Sequence, residues 1–414
     1  MSGVWSRTKR ILRGNLGVLI LTTGLWNIAG SLADPYFALY VLALGGSYFE
    51  VGLTSAVGNL FMLMPLVFAG SLADVIGRKR LVVFLGFLLS SIYIIFSQAP
   101  SWEFLLLGTA LNALIHGFRE PAFASLVADS TPPEDRALAI ALWQRIPQAI
   151  SLASPVVGGV VIDRLGVVTA MRGFYVITCF TCIASHILRY KYLKETLTAN
   201  KTDILEGVKA TLTEIKEIAS HVPRQALILI GINAALHLAL MTSDSYWVIY
   251  ATDDVVGLTA SQWGLVTLVQ NIILIVCTIL FSVVADRYGN FRFVLASLLL
   301  TPITIALFPF SQGFTHVLFL RSAYSLATSL RTATFSAMFI DNSPREFRGR
   351  LNALQRFASR PMVVSGSLLG GYLYQTLSKP APFFFNALVM SATGLAFLFL
   401  MKETPQKEDS DRGQ

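Results

Sequence analysis

Gly70-Ser-Leu-Ala-Asp74-Val-Ile-Gly77-Arg78-Lys79-Arg80 joins two long apolar runs, and a worn copy of it returns as Ser282-Val-Val-Ala-Asp286-Arg287-Tyr-Gly289-Asn-Phe-Arg292. Asp286 follows Asp74 by 212 residues (286 less 74), and Gly289 follows Gly77 by the same step. Outward from this loop the register holds. It pairs Gly52 with Gly264, Asn59 with Asn271, Arg119 with Arg331, Phe123 with Phe335, Asp129 with Asp341, Arg136 with Arg348, and Gly158-Gly159 with Gly370-Gly371. Toward the start of each copy the step becomes 210, matching Asp34, Tyr36 and Tyr40 to Asp244, Tyr246 and Tyr250, so a two-residue indel lies between. In a chain with only 14% charged residues, chance does not keep so many Asp and Arg pairs in one register, and the chain is a tandem duplication.

The apolar runs on either side of the loop are membrane spans. The chain is 54% hydrophobic, a balance that excludes an ordinary soluble domain, which carries about 25% charged residues. A spanning helix needs about 20 largely apolar residues. Twelve such stretches are predicted, at 15–44, 51–70, 81–98, 102–128, 137–162, 172–190, 224–251, 261–283, 292–312, 315–340, 350–375 and 381–401. The expected fold class is therefore an all-α integral membrane protein with twelve transmembrane helices in two pseudo-symmetric six-helix bundles. Its parts are an N-terminal bundle 1–190, a linker 191–223, a C-terminal bundle 224–401 and a disordered polar tail 402–414. In the linker, Ile204, Val208, Leu212, Ile215 and Ala219 recur at helical spacing behind Asp203 and Glu206, which predicts an amphipathic helix over 203–220.

A formal net charge of +8 raises the question of a nucleic-acid partner, and its distribution answers it. Basic residues gather in alternate loops, among them Arg78–Arg80, Lys191–Lys216 and Arg287–Arg292. The intervening loops at 45–50, 97–102, 251–261 and 311–316 have none. By the positive-inside rule both termini face the cytoplasm of a cell in whose cytoplasmic membrane the protein lies as a multi-pass monomer. Arg7, Lys9, Arg10 and Arg13 precede an apolar run too long for a secretory signal core, so it reads as an uncleaved first span. Cys179 and Cys182 form a C-x-x-C inside a span and Cys277 stands alone. They read as small apolar residues, with neither a disulfide nor a metal expected.

The loop of residues Gly70, Asp74, Gly77 and Arg78, with its second copy at Asp286 and Gly289, resembles the signature loop of the major facilitator superfamily. Glycine permits a tight join between spans, and an aspartate beside arginines can form a charge latch that breaks and remakes as two halves rock. The resemblance covers the whole chain in span count, central loop and both signature loops. It implies two six-helix bundles around a central cavity lined mainly by spans 1, 4, 7 and 10. In span 5, Ser151-Leu-Ala-Ser154-Pro155-Val-Val-Gly158-Gly159 looks like the antiporter motif of that superfamily's drug exporters, with serine where the first glycine is usual. Those exporters usually place an arginine in span 4 where this chain has Thr109. The arginine occurs instead at the matching place in the second half, as Arg321.

Charges inside the spans mark the candidate site, because one near the bilayer centre costs about 2.5–3.5 kcal/mol and so needs a cavity or a partner. His116, Arg119, Glu120 and Phe123 share one face of span 4. Arg119 lies ten residues before Asp129, or ~15 Å along a helix, which is the midplane. Arg331 holds the matching place in span 10, in a stripe with Tyr324 and Phe335. Span 1 offers Thr23, Asn27, Ser31 and Asp34 at helical intervals. Span 7 answers with Asn233, His237, Met241 and Asp244. These positions predict a substrate cavity of Asn27, Asp34, Arg119, Phe123, His237, Asp244, Tyr324 and Arg331, with Arg119 and Arg331 as a cationic pair. Asp34, Glu120 and Asp244 are candidate proton carriers. Arg145, Arg356 and Arg360 are expected to latch to the basic-side loops, and Arg321 has no assignable partner. The predicted function is secondary transport of a small solute by alternating access, with no cofactor beyond a proton or other ion gradient. Proton-coupled efflux of amphipathic, drug-like compounds leads; an organic-anion or metabolite carrier stands second and a transport-dead receptor is the remote reading. An enzyme is not expected, since the five histidines are scattered and no nucleotide loop or nucleophile–base grouping occurs.

Overall fold

The computed structural model describes residues 14–197, 222–344 and 348–401, and among them every regular element is a helix. The predicted linker helix over 203–220 and the tail from Lys402 lie outside the described residues. Twelve spans follow one another. Span 1 is Asn15–Ala33 resumed as Phe37–Ala43, span 2 is Tyr48–Leu63 resumed as Ala69–Ile76, span 3 is Arg78–Ser97 and span 4 is Trp102–Asp129. Span 5 is Arg136–Ile150 resumed as Ser154–Leu165, span 6 is Val167–Tyr192, and span 7 is Arg224–Ser243 resumed as Tyr246–Ile249. Spans 8 to 12 are Ala260–Tyr288, Asn290–Leu307, Phe314–Asp341, Arg348–Tyr372 and Ala381–Leu400.

Eight of these are long and apolar enough to cross a bilayer on length and composition alone. The remaining four are spans 2, 4, 10 and 11. Spans 4, 10 and 11 carry Arg119 and Glu120, Arg321 and Arg331, and Arg356 and Arg360, and span 2 is broken at Met64–Val67. A polar face turned toward other helices lowers a span's hydropathy without removing it from the membrane. Helix ends also differ from the apolar limits. The spans predicted to stop at 70 and 283 run on to Ile76 and Tyr288, where Gly77 (φ 97°) and Gly289 (φ 88°) end them in a backbone conformation that only glycine adopts freely. Hydropathy measures the hydrocarbon slab; glycine sets where the helix stops.

The signature loop, at what we term the inner end, is held within its own half. Arg78 pairs with Asp129 at the end of span 4 and approaches Asp74 at 3.8 Å. The Glu195 carboxylate, just past span 6, accepts the Lys79 backbone N–H at 3.0 Å.

The two halves meet chiefly through span 2 against span 11 and span 5 against span 8. At the outer end these contacts are backbone against backbone, and the duplication builds them twice. A Cβ on Gly159 would lie 2.3 Å from the Ala260 carbonyl oxygen, and one on Gly264 would lie 2.4 Å from that of Pro155. In the mirror contact, a Cβ on Gly52 would lie 2.4 Å from the Ser367 carbonyl oxygen. Tyr36 seals the first junction by donating its hydroxyl toward the carbonyls of Pro155 (2.6 Å) and Ala260 (2.9 Å). Its repeat partner Tyr246 donates to the Tyr48 carbonyl at 3.0 Å. Gly158 packs span 5 on span 1, its added Cβ meeting the Leu32 oxygen at 2.4 Å, and Gly370 packs span 11 on span 7 in the same manner. The antiporter-like stretch Pro155, Gly158 and Gly159 is thus a packing seam at the outer junction.

Helix termini complete the seam. Span 2 begins with a Ser47/Glu50 capping box and span 8 with a Thr259/Gln262 box at the 212 register. Each also receives a cap from the opposite half. Asp163 at the end of span 5 accepts the N–H groups of Ala260 (2.8 Å) and Ser261 (3.0 Å), and Gln375 accepts that of Phe49 at 2.7 Å. Position 163 and position 375 are themselves repeat partners.

Two predictions follow from this seam. Gly159→Val cannot keep the outer end closed, so outer-end cysteine probes gain reactivity toward an impermeant thiol reagent; Gly231→Ala, whose added Cβ has nothing within 4 Å, leaves reactivity unchanged. Asp163→Ala removes a two-amide cap and lowers stability by about 0.5–2 kcal/mol in a denaturation series.

Candidate transport cavity

Spans 1 and 7 break where an acid replaces the apolar pattern. Span 1 passes into a short 3₁₀ turn, Asp34–Tyr36, with Pro35 unable to supply an N–H, and span 7 stops at Ser243 before Asp244. Both side chains stand exposed to a cavity of about 640 Å³ between the halves. Aromatic residues Phe37, Trp247 and Trp263 form part of its wall; Asn59, Asn112 and Gln270 add neutral polar groups, and His116 and Arg321 complete it.

A smaller pocket of about 160 Å³ lies beside it in the first half, bordered by Thr23, Trp26, His116, Arg119, Glu120, Phe123 and Trp143. His116 borders both spaces. The Arg119 guanidinium is 6% exposed, sits 5.5 Å from the Phe123 ring centre and 6.0 Å from that of Trp26, and its Nη1 has no acceptor.

The structure sorts the predicted residues into groups. Asp34 and Asp244 share the larger cavity, Arg119 and Phe123 the smaller pocket, and Tyr324 packs against Arg321. Asn27 and Arg331, both half-buried, border neither space, and His237 is occupied with its own helix, Nδ1 lying 2.8 Å from the Asn233 carbonyl. The cation nearest Arg119 across the Phe123 ring is Arg189, 4.8 Å from the ring centre and 1% exposed. Arg189 donates to Thr22 Oγ1 (2.8 Å) and Thr23 Oγ1 (3.1 Å). Sequence reasoning missed it because an arginine in the last turn of span 6 reads as part of the basic flank; its long stem lets the head reach back into the bundle.

One other expectation changes. Arg356 pairs with Glu120 at 3.5 Å, and Arg360 Nη1 donates to Asn59 Oδ1 at 3.1 Å. Arg356 and Arg360 therefore bridge the halves at mid-depth instead of latching to loops. Arg145 bonds Gln148 on its own helix at 3.2 Å. Among the described residues, the hydrogen bonds and ion pairs between halves run from the outer caps inward to Glu120–Arg356.

A twelve-span duplicated bundle with a polar cavity at the junction of its halves defines a secondary transporter. The family model described as Major Facilitator Superfamily matches residues 16–250 and 232–414, and the chain belongs to that superfamily. It is similar to the multidrug resistance protein MdtG of Serratia proteamaculans (strain 568), with 26% identity over 412 residues and 96% of each chain covered. The protein of that name from Yersinia enterocolitica is 24% identical, covering 95% of this chain and 94% of the other. Among solved structures, a peptide transporter POT bound to sulfate superposes with a TM-score of 0.71 at 13% identity, covering 92% of this chain and 93% of that one. A bacterial homologue of the human lysosomal transporter Spinster, inward-facing and unoccupied, gives 0.70 at 12% identity, covering 93% and 94%. Both likenesses are of fold. The protein is a multi-pass membrane transporter and not an enzyme.

The Glu120–Arg356 pair is exposed, and such pairs are worth at most about 1 kcal/mol. Glu120→Gln and Arg356→Gln are expected to leave the thermal midpoint within a few degrees of wild type, and the double variant to match the larger single effect.

Proposed function

We propose that the protein exports amphipathic compounds across the cytoplasmic membrane in exchange for protons, with the signature-loop end and both termini in the cytoplasm. The observation that carries this reading is the pair Asp34 and Asp244, two carboxylates at matching helix breaks facing one cavity, neither of them in a salt bridge among the described residues. A carboxylate free of a fixed partner can take and release a proton as the cavity changes sides. The halves 1–190 and 224–401 rock about the mid-depth bridges, and the linker 191–223 tethers them. In the state described here the outer seam is shut. Opening separates Gly159 from Ala260 and Gly52 from Ser367, while the inner ends close. Glu120 serves the cavity mouth through Arg356. The name carried by the relatives supports export of drug-like compounds, as does the aromatic wall of Trp247 and Trp263.

The test is flux in proteoliposomes loaded with a fluorescent amphipathic dye. An imposed pH difference is expected to drive transport, and Asp34→Asn or Asp244→Asn to lower pH-driven flux at least tenfold while dye exchange without a gradient persists. Wild-type flux indifferent to pH would sink the coupling, and no flux across a panel of dyes would sink export.

A further inference from the structure

We propose that Arg321 is the anion clamp of the central cavity, so that this transporter selects organic anions with a flat apolar body, the aromatic carboxylate class, over neutral and cationic analogues. The inference rests on the cavity assigned above and names the charge of what enters it.

Arg321 belongs to span 10 and borders the 640 Å³ cavity, yet it is 7% exposed. Three aromatic rings surround the guanidinium, with Trp247 at 4.2 Å, Tyr324 at 4.9 Å and Trp263 at 5.7 Å from ring centre to the guanidinium carbon. Aromatic faces stabilise a cation and fix its plane, but they do not accept its N–H groups. Nε and Nη1 are buried without an acceptor. Asp34 and Asp244 border the same cavity; the Asp244 charge acts on Arg321 from a distance, but among the described residues no salt bridge joins either acid to it. A guanidinium held in an apolar box with unmet donors is matched by a planar oxyanion, since carboxylate geometry fits the planar donors of arginine. The rings that hold the cation also offer flat apolar surface beside it, so the best ligand joins a carboxylate to an aromatic body.

The duplication adds an independent argument. The partner of position 321 is Thr109, 212 residues earlier, and Thr109 borders the same cavity from the other half. One wall thus presents a hydroxyl and the other a full positive charge at equivalent places. The seam glycines and the tyrosines Tyr36 and Tyr246 are kept in both copies, whereas Arg321 is confined to one. Its Nε and Nη1 donate to no neighbouring side chain.

The experiment is isothermal titration of the full-length protein in nanodiscs with three probes sharing one body: naphthalene carboxylate, naphthalene carboxamide and naphthylmethylammonium, at neutral pH. Wild type is expected to bind the carboxylate at least tenfold more tightly than the amide, with the ammonium weakest. Arg321→Gln should bring the carboxylate down to the amide's affinity while the amide changes less than threefold, and Arg321→Lys should fall between. A wild type that binds the carboxylate no better than the amide overturns the proposal, and that comparison stands even if both variants misfold. Carboxylate preference persisting in folded Arg321→Gln overturns it equally. The export reading fails separately: dye flux without carboxylate preference retains export and removes the clamp, whereas carboxylate preference without flux retains the clamp and removes export.

Discussion

Where two helices touch through their backbones, nothing but glycine fits, and the structure rests on that constraint at the outer junction. Gly159 against Ala260 and Gly264 against Pro155 bring span 5 onto span 8, and Gly52 against Ser367 brings span 2 onto span 11. In lipid there is no hydrophobic drive to pull helices together, so close approach with dense van der Waals contact is what holds such a seam. The tyrosines Tyr36 and Tyr246 spend their hydroxyls on carbonyls already in the seam, which meets the need for every polar group in an apolar medium to find a partner. Everything nearer the middle hangs from this closure, because shutting the outer end is what gives the cavity a floor.

Inside that frame the two halves stop being equivalent. The seam glycines, the acidic helix breaks and the loop glycines Gly77 and Gly289 come in pairs. The cations at the two spaces do not: Arg119 is clamped by Trp26 and Phe123 beside Arg189 in the first half, while Arg321 is boxed by Trp247, Trp263 and Tyr324 in the second. Arg331, which does repeat Arg119, borders neither cavity. A symmetric scaffold supplies the movement, and the asymmetric side chains supply the chemistry.

Much of this was legible in the residues. The register of 212 located the seam glycines and the duplicated loop, and the step of 210 the acids, because backbone packing and helix breaking act through residue types that leave marks in a single chain. Helical spacing put Asp34 and Asp244 on the polar faces of spans 1 and 7, and the resemblance implied that those faces meet a cavity. What spacing could not supply was direction across helices. Glu120 sits next to Arg119 in sequence, yet successive residues of a helix point about 100° apart, so its carboxylate turned to Arg356 on another span. Arg189 was hidden for a related reason: a long flexible side chain near a helix end reads as a solvated flank until its neighbours are known, whereas Arg321 was singled out by the register and lacked only its surroundings. The caps at Asp163 and Gln375 escaped notice because a helix terminus met by a side chain from the opposite half has no local signature.

Those two caps differ by a methylene in length and by a full charge. At a seam made of backbone, selection has almost nothing to adjust, since any side chain added to the glycines breaks the contact. The caps are the adjustable part: a full carboxylate on two amides at one junction, a neutral amide oxygen on one amide at the other. The two edges of the outer seam therefore match in their glycine contacts and differ in the charge that caps them.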